Sequence, residues 1–256
     1  MRPVLSLVLM AILLTLPHPA SAALDRTKIA AAEKAANDFT RLARDSFKSG
    51  KPPRESDPAV KSLLDVAFDT AVAPPANVEF SDLPRINQWM AIGDRIGLVY
   101  MLAGTGTNNL GQAATNPKTS KLIPQNIAAF QTEYGRFTDF QIALWSLGLD
   151  AIVAKIDSAS EAERKNPKFL GGYVQISNSI AQTIAGVIAT FPTEGITDDW
   201  RRARLGPLNE IAPKAQKALP MPIRQKLREL ALEVSEKTEN PEIKESVKAL
   251  GDNLAK

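Results

Sequence analysis

The chain has 256 residues, 44% of them apolar and 23% charged, with a formal net charge of +3, which is enough apolar material for one substantial core and an ordinary charge load for a globular protein. There is no cysteine, and the single histidine, His18, lies in a segment read below as removable. The rest of the chain therefore has no thiolate nucleophile, Ser-His-Asp triad, c-type haem attachment or conventional zinc site; carboxylate-only chemistry, serine–lysine dyads and oxygen-ligand sites for hard cations survive.

Residues 1–22 have the three parts of a signal peptide: a basic start at Arg2, an apolar run over 5–16, and the small-residue site Ala20-Ser21-Ala22. The run is shorter than the about 20 residues that cross a bilayer core. No cysteine follows it to carry a lipid. The expectation is a chain exported and soluble after cleavage, periplasmic or secreted. Removal of Arg2 lowers the net charge from +3 to +2.

Beyond the signal the hydrophobic period is helical nearly throughout. A first helix spans 24–49, with Ile29, Ala32, Ala36, Phe39, Ala43 and Phe47 on one face and Gly50 as its stop. Asp57 caps a second, which Pro58 opens and Pro74-Pro75 break. A third covers 81–103, with Trp89, Ile92, Ile96, Val99 and Tyr100. A polar stretch, 104–121, follows and reads as a loop. The fourth and longest helix is expected over 124–156, apolar almost all round across 142–156 and so central. Asn166-Pro167 opens a fifth to 191, uncharged from 169 onward. Its length suits a membrane span, but Gln175, Asn178 and Gln182 near its middle and the seam Phe169, Tyr173, Ile176, Ile180, Ile184, Val187, Phe191 favour a central helix of a soluble bundle. Thr197-Asp198-Asp199 starts a sixth, which Pro207 and Pro213 are expected to kink or divide. Pro222 and Asn240-Pro241 open the last two. The fold class is thus all-α: an irregular bundle of about eight helices, with the helices near 123–156 and 168–191 central. Residues 23–256 read as a single domain, with the Pro-broken, charge-rich part from about 197 able to pack as a C-terminal subdomain.

Four features are candidates for function. Gly104, Gly106, Asn108, Asn109 and Gly111 lie in a glycine-rich loop whose backbone can approach a ligand or partner closely. No Gly-Lys-Ser/Thr follows it and no strand precedes it, so it is neither a P-loop nor a dinucleotide fingerprint. Glu133, Arg136 and Asp139 recur three apart, as a salt-bridge ladder would; Asp150 sits in the most apolar neighbourhood and calls for a cationic partner such as Arg95 or Arg136. Glu133 and Asp150 are the nominees for acid or base work. Gly93 and Gly97 offer a flat face for close packing of a neighbouring helix. Residues 200–228 hold eight bases against one acid, and 229–256 seven acids against four bases. Arg201, Arg202, Arg204, Lys214, Lys217, Arg224 and Arg228 could therefore bind an anionic membrane or cell-wall polymer, or be neutralised by the acidic C-terminal helix. Export and sparse aromatics disfavour nucleic acid.

These features favour a non-catalytic, exported binding or interaction protein of the cell envelope, engaging a protein partner or a small apolar ligand, with no cofactor and no metal. The alternatives are a carboxylate-dependent hydrolase or lyase of envelope glycan, and peripheral association with an anionic membrane or polymer through 200–228.

Overall fold

The computed structural model describes residues 26–70 and 78–256. The expected signal peptide, 1–22, and the Pro74-Pro75 break lie outside them. The described residues form eleven α-helices and one 3₁₀ turn, with no strand: α1 (Arg26–Lys48), α2 (Pro58–Ala67), the turn Phe80–Asp82, α3 (Leu83–Met101), α4 (Leu110–Thr115), α5 (Leu122–Ala129), α6 (Gln131–Ser158), α7 (Glu161–Arg164), α8 (Pro167–Thr190), α9 (Asp198–Ala218), α10 (Met221–Glu236) and α11 (Pro241–Ala255). The protein is an all-α bundle.

Local chemistry sets most of the helix starts. Asp57 accepts a hydrogen bond from Ala59 N at 2.8 Å, Asn166 from Lys168 N at 2.9 Å and Asn240 from Glu242 N at 3.0 Å, each with proline at the next position. Proline costs nothing there, because a first-turn N–H has no partner within the helix. Thr197 caps α9 in the same way, with Asp198 and Asp199 at its positive end.

Three differences from the sequence expectation separate eleven helices from eight. The polar stretch 104–121 contains α4, capped by Asn109, whose Oδ1 accepts from Gln112 N at 3.0 Å. A short α7 precedes α8, closed by a reciprocal Ser160–Glu163 capping box. The helix expected over 124–156 is two, parted at Phe130 (φ −112°, ψ 30°). Phe130 leaves the helical path because its ring is buried against Tyr100 and Phe47, with centroids 5.2 and 6.5 Å away. Conversely, α9 runs unbroken through Pro207 and Pro213. Each proline removes one N–H, yet Leu205, Leu208, Ile211, Ala212 and Ala215 form one buried stripe that holds the helix in line.

The buried apolar residues form one continuous cluster from Ile29 to Leu254. Its axis is α6, which packs against α3 on one flank and α9 on the other and also touches α5 and α8. On the α3 side Phe137 lies over Gly97 and Phe140 over Gly93; a Cβ at those glycines would come within 2.6 and 2.5 Å of the rings. The two glycines thus give close packing, with α6 aromatics filling the space of the missing side chains. Helix α1 covers α2 and α3, while α10 and α11 pack on each other and on α8 and α9 respectively. Among the described helices α6 is the one long and apolar enough to cross a membrane, and 67% of its most apolar window is buried inside the protein, as expected of a core helix. Helix α8 is less central than its composition implies. It buries Ile180, Ile184, Val187 and Ile188 with Ser177 and Thr190, and leaves Leu170, Gly171, Val174, Gln175, Asn178 and Gln182 exposed.

Candidate functional site

The largest groove described, about 970 Å³, runs between the C-terminal halves of α1 and α3 and ends at the glycine-rich loop. That volume lies at the upper end of the range for ligand clefts, about 300–1,000 Å³. Its floor is apolar: Ala43 and Phe47 from α1, Leu98 and Val99 from α3, then Leu102 and Ala103. Arg44, Lys48 and Arg95 stand around it, and no carboxylate lines it.

A helix end and a sprung turn build its closed end. Asn126 of α5 donates from Nδ2 to Met101 O at 2.9 Å and to Ala103 O at 2.8 Å, satisfying carbonyls that the end of α3 leaves free. The chain then turns through Gly104 and Gly106, both at φ +72°, a conformation that glycine adopts without steric cost. Thr105 Oγ1 donates to Leu102 O at 2.8 Å and Thr107 Oγ1 accepts from Asn109 N at 3.1 Å, so hydroxyls in the loop satisfy part of its own backbone. Of the five loop residues singled out from sequence, Gly104, Gly106 and Asn108 line the groove, together with Thr107. Asn109 and Gly111 instead form the cap and first turn of α4.

Electrostatics divide the trough along α1. A second groove, about 680 Å³, continues from the first and shares Thr40, Arg44 and Arg95 with it. Its other lining residues are Ala30 and the polar or charged Glu33, Lys34, Asn37, Asp38 and Arg41. Asp38 accepts from Lys34 at 2.8 Å and also pairs with Arg41, and the Lys34 hydrogen bond holds its carboxyl below the usual range. Arg95 is steadied by Asn37 Oδ1 at 2.9 Å and by Glu33 at 3.6 Å. Among the described residues Arg44 has no ion-pair partner. Two cations, one of them unpaired, therefore stand where the apolar floor gives way to a polar trough.

The other nominated residues are engaged elsewhere. Glu133 is 3% exposed; its Oε1 accepts from Glu55 N at 2.8 Å and its Oε2 lies 3.6 Å from Arg54 Nη1. Arg136 pairs with Glu55 at 2.6 Å and Asp65 at 2.8 Å, and Asp139 with Arg204 at 2.7 Å. The expected ladder within α6 is thus replaced by links to other elements: Glu133 and Arg136 both meet Glu55, Arg136 also reaches Asp65 of α2, and Asp139 reaches Arg204 of α9. Asp150 pairs with Lys214 at 2.7 Å, not with Arg95 or Arg136, because α9 is the helix alongside that part of α6. Neither Glu133 nor Asp150 lines any of the four grooves described.

Five of the seven nominated cations are paired. Arg201 bonds Asp198 and the Phe191 carbonyl, Arg202 bonds Glu242, and Arg228 bonds Asp252. Arg204 is buried, with its guanidinium over the Trp200 ring at 4.6 Å. Gly135 makes room for it: a Cβ there would collide with the guanidinium and come within 2.9 Å of Trp200 Nε1. Burial lowers the pKa of Arg204, and Asp139 opposes this. Lys214 holds Asp150. Among the described residues Lys217 and Arg224 have no ion-pair partner. The acidic C-terminal helix α11 thus neutralises Arg202 and Arg228, and the other three paired cations are met by α6 or by α9 itself.

Sequence reasoning missed the α1 and α3 walls of the groove. Ala43 and Phe47 fit the core face of α1 by spacing, and Leu98, Val99 and Leu102 were indistinguishable from core. The available signal was excess: α3 carries more apolar residues than one buried stripe needs, and Arg44 and Lys48 are a turn apart beside Phe47. Among the described residues no group of three His, Cys, Asp or Glu could hold a metal ion. Compared with known protein families, curated proteins and solved structures, the chain matches none.

Proposed function

We propose that this is an exported, non-catalytic binding protein of the cell envelope that holds a small amphiphile, an apolar chain with an anionic head, in the groove between α1 and α3. The carrying observation is the placement of Arg44 and Arg95 at the border between the apolar floor and the polar trough. Burial of a hydrocarbon chain supplies affinity roughly in proportion to area, and a guanidinium recognises a carboxylate or phosphate by charge-assisted hydrogen bonds. The apolar 5–16 run and the Ala20-Ser21-Ala22 site support export to the periplasm or the medium. The ion-paired, groove-free settings of Glu133 and Asp150 lend no support to carboxylate catalysis.

Titration calorimetry with laurate and with dodecyltrimethylammonium, both as monomers in solution, tests the reading. Laurate is expected to bind one to one. The cationic amphiphile should bind at least about tenfold more weakly, and Arg44→Glu should weaken laurate by about tenfold, the scale of a partly exposed charge reversal. Equal affinity for the two head groups, or no laurate binding, overturns it.

A further inference from the structure

The corner where α8 meets α10 places an unpartnered cation beside apolar side chains that none of the described residues covers. Arg224, in the first turn of α10, has Nε and Nη1 sealed from solvent with no hydrogen-bond partner and no ion pair among the described residues. It faces Tyr173 of α8: burial pushes that phenol up, and Ser177 and the Arg224 charge partly offset the shift. Leu170 and Val174, one turn apart on the outer face of α8 next to Tyr173, are 44% and 46% exposed, and Met221, one turn before Arg224, is 59% exposed. Behind them Phe80, Phe169 and Tyr173 stack in a row, with centroids 5.9 and 6.3 Å apart, so the apolar side chains stand on a rigid base.

Charge decides what such a face can meet. Helix α8 has no charged residue after Lys168, and α10 from Met221 to Arg228 carries Arg224, Lys226 and Arg228 with no acid. Of these cations only Arg228 is tied, to Asp252. A second copy of the chain would set Arg224 near its like-charged twin, and a neutral surface would leave the guanidinium as unsatisfied as it is now. Apolar side chains around an unpaired guanidinium match the boundary of an anionic bilayer, where aliphatic groups enter the acyl region and the guanidinium meets phosphate.

We propose that the α8–α10 corner docks the protein on membranes containing anionic phospholipid, with Leu170, Val174 and Met221 inserted and Arg224 at the lipid phosphates. Arg224 gains most, because turning outward exchanges a sealed, unpartnered site for phosphate oxygens. The surface is distinct from the α1/α3 groove, and neither reading depends on the other.

The absence of cysteine makes the test site-specific. The full chain carrying Val174→Cys, labelled with a nitrobenzoxadiazole dye, is mixed with vesicles of phosphatidylcholine alone or of equal parts phosphatidylcholine and phosphatidylglycerol. The expected result is a blue shift and brightening with the anionic vesicles at low salt, reversed at high salt, and no change for a label at Lys34→Cys on α1. Local labels keep the reading independent of any contact by the apolar 5–16 run. Arg224→Gln should weaken the response about fivefold and Arg224→Lys should retain most of it. Leu170→Ser with Met221→Ser should weaken it at least about tenfold. A silent label at 174 on anionic vesicles, an equal response on phosphatidylcholine alone, or indifference to Arg224→Gln would overturn the proposal.

Discussion

Gly97→Ala probes the contact that fastens α3 to the axial helix, and its sign can be worked out in advance. The new Cβ would lie 2.6 Å from Phe137 Cε1 and 2.8 Å from both Cδ1 and Cζ. That ring cannot step aside: Phe137 is 4% exposed, with Phe68 at 6.5 Å and Tyr134 at 5.7 Å between centroids. Overpacking a filled core costs about 1–3 kcal/mol, and three ring atoms within 3 Å put this site at the upper end. Replacing glycine inside a helix returns about 1 kcal/mol. The net loss is about 1–2 kcal/mol. Gly186→Ala in α8 is the matched control, because a Cβ there meets nothing within 4 Å. It receives only the propensity term and should stabilise by up to about 1 kcal/mol. Urea unfolding followed by far-ultraviolet circular dichroism should therefore move the two midpoints in opposite directions at unchanged slope. A midpoint for Gly97→Ala at or above the parent value would refute the ring-on-glycine packing.

Asp94 on α3 gives a pH-dependent prediction. Burial raises its carboxyl pKa, only partly opposed by the hydrogen bond that Gln141 Nε2 donates at 3.1 Å. An acid raised in the folded state binds more protons folded than unfolded above about pH 4, so stability falls as pH rises through that window. Asp94→Asn keeps an acceptor for Gln141 and should be more stable than the parent at pH 7, with the advantage fading as pH approaches 4 in midpoint measurements; a constant difference across pH would count against this origin. Thr183→Val tests the α6–α8 link: Trp145 is 2% exposed and its Nε1 donates to Thr183 Oγ1 at 2.8 Å. Leaving that donor buried and unpaired should cost about 1–3 kcal/mol in the same assay, and an unchanged midpoint would show that the tryptophan finds another acceptor.

What the sequence disclosed follows the range of the forces involved. Caps and first-turn prolines act over three or four residues, so the starts of α2, α8, α9 and α11 were readable at Asp57, Asn166, Thr197 and Asn240. The all-α class and the α8 seam were readable because the apolar period survives in one dimension. Long-range packing was not. Phe130 breaks a helix because Tyr100 and Phe47 bury its ring, and nothing within four residues announces that. Pro207 and Pro213 look like breakers until burial of the opposite stripe of α9 is known. The partner of Asp150 depends on which helix lies beside α6. Half of the groove was legible: Gly104, Gly106 and Asn108 stood out because positive φ has a residue signature, whereas Phe47, Leu98 and Val99 carry the same signature as core. Arg224 was one base among eight until five of its nominated neighbours were seen to be paired.

The central claim is that an amphiphile with an anionic head lies between α1 and α3. Hydrogen–deuterium exchange with and without laurate tests it most directly, because it reports where binding occurs as well as whether it does. The account predicts slowed exchange confined to the C-terminal half of α1, the end of α3 and the Gly104–Asn108 turn, lost in Arg44→Glu, with α8 and α10 unchanged. Protection centred on any other part of the bundle, or none at saturating laurate, would contradict it.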